Sequence, residues 1–290
     1  MLLDAALRDL EHEDPRVRAQ AADALGRSEA PERNAAVSAL ARAVDDPHPS
    51  VRYAALLSLG ELGAHETVDA LVGRLGDGEP LVREAATIAL GQLGDAGGMR
   101  AWSALERTLR ADEPEVRFQA VASLAEIDAA RAATLVVGLL DDRDAKVRAQ
   151  AAAALGDAGD RRYADRIARC LDDAADVRHE AALALARLGD RRAVATLVGS
   201  LGVADRALDA ATALASLGIG DDAAVRAALA HEVGRFFGDA LVKVRAAEAL
   251  ARAGDARGTE HLRKAARSRR DDVRGLAESV LTTLSAHVDR

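Results

Sequence analysis

Val82-Arg83-Glu84-Ala85-Ala86-Thr87-Ile88-Ala89-Leu90-Gly91-Gln92-Leu93-Gly94-Asp95 reads as one amphipathic helix followed by its stop. With Val82 as position 0, apolar or small side chains fall at positions 0, 4, 7, 8 and 11, which is one face of an α-helix. Glu79 and Pro80 stand before the run, an acid for the N-cap and a proline for the first turn, where its missing N–H would have no partner anyway. Gly94 stands after it, where a left-handed turn favours a residue without Cβ. Asp14-Pro15 and Glu113-Pro114 repeat the start, with His48-Pro49 as a variant. Gly63, Gly159, Gly189, Gly218 and Gly254 repeat the stop.

The phrase recurs with anchors at Val17, Val51, Val116, Val147 and Val177, and in looser form at Arg206, Val242 and Val273, so nine copies fill 290 residues. A period of about 31 residues marks a stack of supersecondary units. Between each glycine and the next anchor lies a shorter apolar segment, such as Ala193-Val194-x-x-Leu197-Val198-x-x-Leu201, again helical by its spacing. Each unit is therefore a hairpin of a short helix A and a longer helix B, and the chain should hold about eighteen helices and no strand. The units are placed at residues 1–29, 30–63, 64–94, 95–128, 129–159, 160–189, 190–218, 219–254 and 255–290 of a single solenoid over 1–290. At roughly 8–10 Å between packed helices, the stack should span roughly 80 Å.

The composition is 49% hydrophobic but 2% aromatic, so Ala, Leu and Val must build the core through close helix packing. A net charge of -8 argues against nonspecific nucleic-acid binding. Cys170, the single cysteine, excludes an intramolecular disulfide and fits a reducing compartment. The first ten residues carry Asp4 and Arg8 and no uninterrupted apolar run, so neither a signal peptide nor a membrane span is expected and a cytoplasmic location is. In the last unit Glu278 stands where other units mostly have Ala, Val or Leu facing the next copy, the polar ending expected if no tenth repeat follows.

The pattern Asp-x-x-Val-Arg-x-x-Ala-Ala-x-Ala-Leu-Gly-x-Leu-Gly-Asp, clearest from Val82 to Asp95 and from Val177 to Asp190, resembles HEAT repeats, particularly the short bacterial type of the phycobilisome lyase-like group. The resemblance covers essentially the whole chain. It implies an all-α, right-handed α-solenoid of about nine HEAT-like helix pairs, with helix B lining the concave face. It also implies that Arg18, Arg52, Arg83, Arg117, Arg148, Arg178 and Arg274, all at position 1, form a structural ladder rather than a phosphate-binding stripe. Their candidate partners are acids in the turns between helices A and B, namely Asp46, Asp77, Asp142 and Asp173. The Trp and Tyr signatures of tetratricopeptide repeats and the Thr-Pro-Leu-His turn of ankyrin are missing.

Function then rests on the positions that vary. Helical geometry sets positions 2, 3, 6 and 10 opposite the apolar face. Position 2 holds Tyr53, Glu84, Phe118 and His179, and position 3 holds Gln119, Gln150 and Glu180; these are the candidate contacts for another protein along helix B. Aromatic side chains there bury a large area with few rotors to freeze, although they could equally cover neighbouring helices. The pair Phe236-Phe237, in a lengthened eighth unit after the broken copy at Arg206, is a second candidate dock or a packing repair. Arg263, Lys264, Arg267, Arg269 and Arg270 form a basic patch, open to an acidic partner or to solvent alone.

His179-Glu180 occupies the slot where HEAT-repeat deoxyhypusine hydroxylases carry iron-binding pairs, but such a site needs several pairs on matching repeats. His65-Glu66 and His231-Glu232 fall outside that slot. Two ligands from one helix do not complete a coordination sphere. Acidic turns such as Asp141-Asp142-Arg143-Asp144 lack the glycine and distal glutamate of a calcium loop. The HEAT-like DNA glycosylases use a basic, aromatic-lined groove, for which this acidic chain offers only Trp102 and scattered basic groups. No metal, cofactor or catalytic residue is expected. The reading is a noncatalytic protein-binding scaffold or adaptor, and the resemblance supplies the alternative of a phycobilisome lyase-like subunit serving chromophore attachment.

Overall fold

The computed structural model describes residues 2–29, 31–219, 222–235 and 238–288. Every regular element among them is a helix. The chain forms two compact units, residues 1–154 and 155–290. The first contains α1 (Leu2–Asp9), α2 (Pro15–Leu25), α3 (Arg33–Ala43), α4 (Pro49–Glu61), α5 (Val68–Arg74), α6 (Pro80–Gln92), α7 (Gly98–Thr108) and α8 (Pro114–Val136). The division falls within α9 (Ala145–Asp157). The second unit continues with α10 (Ala164–Arg169), α11 (Ala175–Arg187), α12 (Val194–Ser200), α13 (Ala207–Leu217), α14 (Ala223–Gly234), α15 (Ala240–Arg252), α16 (Ala256–Ala265) and α17 (Asp271–Val288). α8 joins two helices across an extended residue, Asp128 (φ -157°), at the position where other repeats place their glycine.

Helices A and B build separate layers. In the first unit α2, α4, α6 and α8 pack in succession as one layer, and α1 against α3 and α5 against α7 form the other. In the second, α11, α13, α15 and α17 follow one another, with α12, α14 and α16 beside them. The core is what the periodicity requires. Val177, Ala181, Ala184 and Leu185 are fully buried and Leu188 nearly so. Burying one such Val or Leu stabilises the fold by about 1.5–3 kcal/mol before chain entropy is counted.

Small residues set the spacing between B helices. A Cβ on Gly156 would lie 2.6 Å from the Cα of Ala184, so α9 and α11 touch through backbone at that point. Ser58 sits against Gly26 in the same way and donates its hydroxyl to the Ala22 carbonyl at 3.0 Å. Alanine and glycine are therefore a packing requirement here, which is how a core with almost no aromatic residues closes.

The helix stops follow expectation, and the starts do so in part. Gly63, Gly94, Gly159, Gly189, Gly218 and Gly254 all have φ between 53° and 75°. Asp160, Asp190 and Asp255 accept hydrogen bonds from the N–H two residues on, capping the next helical turn. Asp14 caps α2 and His48 caps α4. Glu79 and Glu113 sit at N-cap positions but their side chains cap nothing. A glutamate carries one methylene too many for the short loop back to N2, and Glu113 instead receives Arg83.

Candidate functional site

The position-1 arginines must be placed before any binding face can be read, because they dominate the charge of the B layer. Arg52 donates to both oxygens of Asp77 at 2.7 and 2.9 Å and to the Asp46 and Pro47 carbonyls. Arg18 treats Asp46, and Arg117 treats Asp142, in the same forked way. Each guanidinium closes its own A–B turn through main-chain oxygens and clips the turn of the following repeat through a carboxylate. In repeat four Ala111 takes the place of that aspartate, and Glu113 supplies the carboxylate for Arg83 instead. Arg148 and Arg178 donate to the Asp142 and Asp173 carbonyls, and Arg274 bonds the Ser268 carbonyl and Asp271. The Arg52 bonds hold the Asp77 carboxyl below the usual carboxylate range despite its burial. These arginines are frame, with their donors directed into the protein.

A second set of arginines escaped the sequence reading. Arg33 donates to the Leu62 and Gly63 carbonyls, Arg161 to Leu188, and Arg191 to Gly218 and Ile219. Each lies at the start of a helix A and places a cation on carbonyls at the end of a helix B, where the helix dipole is negative. The signal was present as Gly-Asp-Arg-Arg at 159–162 and 189–192.

α4, α6 and α8 are consecutive neighbours, so their position-2 residues Tyr53, Glu84 and Phe118 form a row across the B layer. Tyr53 is exposed at 37%, while Glu84, Phe118 and Gln119 are half-buried. Glu84, Phe118 and Gln119 meet in one cleft of about 230 Å³, completed by Pro114, Glu115, Asp144 and Lys146. The sequence reading missed those last four because they come from the helix starts of repeats four and five rather than from the variable slots. Asp144 is engaged in capping, accepting from the Lys146 and Val147 N–H groups. Glu84 and Glu115 carry no described ion pair.

The other candidates separate. Gln150 is half-buried on α9 and lines none of these clefts. Glu180 lines a different depression of about 370 Å³ with Asp209, Arg187, Thr212 and Ser216. Burial pushes its carboxyl up, and the negative charge of Asp209 adds to that against the opposing pull of Arg187. His179, expected to be an exposed position-2 contact, is buried. It is 6% exposed, with Nδ1 3.2 Å from the Ser200 hydroxyl on α12, so the adjoining helix A covers it. Burial and the Arg206 guanidinium push its pKa down, against the opposing pull of Asp209, Asp205 and Asp176. Position 2 is likewise buried at Val244, which packs against Leu262 of α16 and Val273. Phe236 and Phe237 lie outside the described residues.

Groups that could suggest chemistry are otherwise occupied. Trp102 is 4% exposed, with the Arg131 guanidinium carbon 3.8 Å from the ring centroid, so it offers no face for stacking a base. Cys170 is buried. Glu232 is buried and paired to Arg235 at 2.9 Å, and His65 lies exposed 3.6 Å from Glu66. Among the described residues no group of three or more His, Cys, Asp or Glu side chains is arranged to hold a metal ion, and no helix is long and apolar enough to cross a membrane.

HEAT repeats match residues 2–91, 75–145 and 132–218. The chain belongs to the HEAT-repeat family. Within its HEAT array, residues 242–268 match the PBS lyase HEAT-like repeat. Among solved structures, YibA of Escherichia coli is similar over 87% of this chain and 92% of its own, at 20% identity and a TM-score of 0.65. The complex of CpcE and CpcF of phycocyanin lyase from Nostoc sp. PCC7120 is similar over 87% of this chain and 95% of that one, at 22% identity and a TM-score of 0.50. Human deoxyhypusine hydroxylase is a weaker likeness, with 20% identity over 98% and 96% of the two chains and a TM-score of 0.40. At these identities the likeness is one of HEAT fold. No curated protein sequence matches the chain.

Proposed function

We propose that this HEAT-repeat protein is a noncatalytic scaffold or adaptor that holds a protein partner against the B-helix row of residues 1–154. The observation that carries the reading is the contrast within single helices. On α8, Arg117 is 4% exposed and satisfied by Asp142 and two carbonyls, whereas Phe118 next to it opens into a cleft where Glu84 and Glu115 carry no ion pair among the described residues. An aromatic floor rimmed by Glu84 and Glu115 suits an apolar or cationic anchor side chain of a partner, and Tyr53 extends the same row. Replacing Tyr53 and Phe118 with Ala should leave helicity and melting behaviour near wild type and weaken the captured partner by about tenfold or more in a titration. Unchanged affinity would remove this face from consideration.

A second reading, a lyase-like subunit serving chromophore attachment, draws support from the PBS lyase HEAT-like match at 242–268. Coexpression with a bilin-accepting protein and a bilin tests it. Covalent visible absorbance on the acceptor that depends on this chain would favour the second reading over the scaffold.

A further inference from the structure

α15, α16 and the start of α17 border an open groove of about 610 Å³. Its floor is apolar, formed by Ala240, Ala265 and Val273, the latter two buried. Its walls carry Lys243, Arg263, Lys264 and Arg267 against a single carboxylate, Glu260. Among the described residues no carboxylate lies within ion-pair distance of any of these four cations. The protein carries a net charge of -8, and its ladder arginines Arg52 and Arg117 are directed into its own carboxylates. Arg270, nearby in sequence, shows the contrast, because Asp272 neutralises it at 2.7 Å. Lys243 is half-buried and donates to the Arg235 carbonyl, which fixes the charge at the cleft wall. His261 lines the same groove, and burial first, with Lys243 and Lys264 adding to it, pushes its pKa down.

We propose that this cleft is a second binding site, distinct from the B-helix row, for a carboxylate-rich peptide segment that seats an apolar side chain on Ala240, Ala265 and Val273. The apolar floor calls for a side chain between the acids, which a small inorganic anion does not provide. A polynucleotide is disfavoured because, among the described residues, the cleft offers no Phe, Tyr or Trp side chain as a stacking platform, and a long strand would run on over an acidic protein. Complementary charge at such a site speeds encounter and selects the partner, and the seated apolar group slows departure.

The test is fluorescence anisotropy on the full chain with a short labelled peptide of glutamates flanking a central leucine. The peptide should bind, and exchanging its leucine for serine should weaken binding severalfold. Lys264→Glu with Arg267→Glu should weaken it by about tenfold or more, since two exposed charges reverse without touching the core. Arg263→Gln with Lys264→Gln is the milder second variant, expected to lose less, and Glu260→Gln should tighten binding. Thermal melts of all three should match wild type. The proposal is overturned if the charge-reversed protein binds as wild type does, if the serine peptide binds equally well, or if an oligothymidylate binds more tightly than the peptide.

Discussion

Arg117 and Asp142 show at the scale of single residues why the repeated Val-Arg phrase is structural. Their side chains are only 5% and 7% exposed, and the guanidinium spends every described bond on Asp142, Ala111 and Asp112. Asp142→Ala should therefore destabilise the protein by about 3 kcal/mol, because it strands a buried cation, and chemical denaturation would measure it. Burial pushes the Asp142 carboxyl up, but the Arg117 bonds and the Asp144 N–H outweigh that and hold it below the usual range, as the Arg52 bonds do for Asp77. Carboxyls depressed in the folded state stabilise it above the unfolded value, about 3.9, and that stability is lost as pH falls through the folded values. The urea midpoint should drop steeply below about pH 4, and Asp142→Asn should flatten that dependence. The ladder was legible because its arginine and aspartate recur at fixed positions. Its exception was not: Glu113 replaces Asp142's counterpart only because Ala111 leaves the slot empty, and pairing across thirty residues carries no local signal.

The helix is the next scale, and there the decisive contacts are those that leave no room for a side chain. Gly156→Ala would drive a Cβ to 2.6 Å from the Ala184 backbone on the neighbouring B helix, and neither helix can give without disturbing its core. The cost should be about 1–3 kcal/mol. Gly73→Ala, on α5 with nothing within 4 Å of the added carbon, should instead be neutral or stabilising by up to about 1 kcal/mol. Paired urea titrations of the two variants separate close approach from helix propensity. The helix stops at glycine were readable from period and punctuation, and the starts in part, since Glu79 and Glu113 cap nothing. Which side of helix B is covered was not, because burial at position 2 depends on what the adjoining helices do. Ser200 of α12 reaches His179, and α16 covers Val244, while Tyr53 at the same position stays open.

For the whole molecule, charge and aromatic content divide the labour. The acids and arginines of the turns mostly satisfy one another, and of the described aromatic side chains Trp102 packs under Arg131, Tyr163 is half-buried at the start of α10, and Tyr53 and Phe118 stand on the B row. The basic residues at 263–267 were visible as a run, but Lys243 and His261, which turn that run into a cleft, come from different places in the sequence and meet only through the packing of α15 on α16. The central claim is that partner binding belongs to the B row and not to exposed apolar surface in general. Met99 on α7 provides the control, since at 74% it is far more exposed than Phe118 but lies in the A layer. The most direct measurement is one calorimetric titration of the captured partner against wild type, Phe118→Ala and Met99→Ala. Phe118→Ala should lose about tenfold or more in affinity and Met99→Ala should stay within about twofold. Equal affinities for all three proteins, or a loss confined to Met99→Ala, would contradict the account.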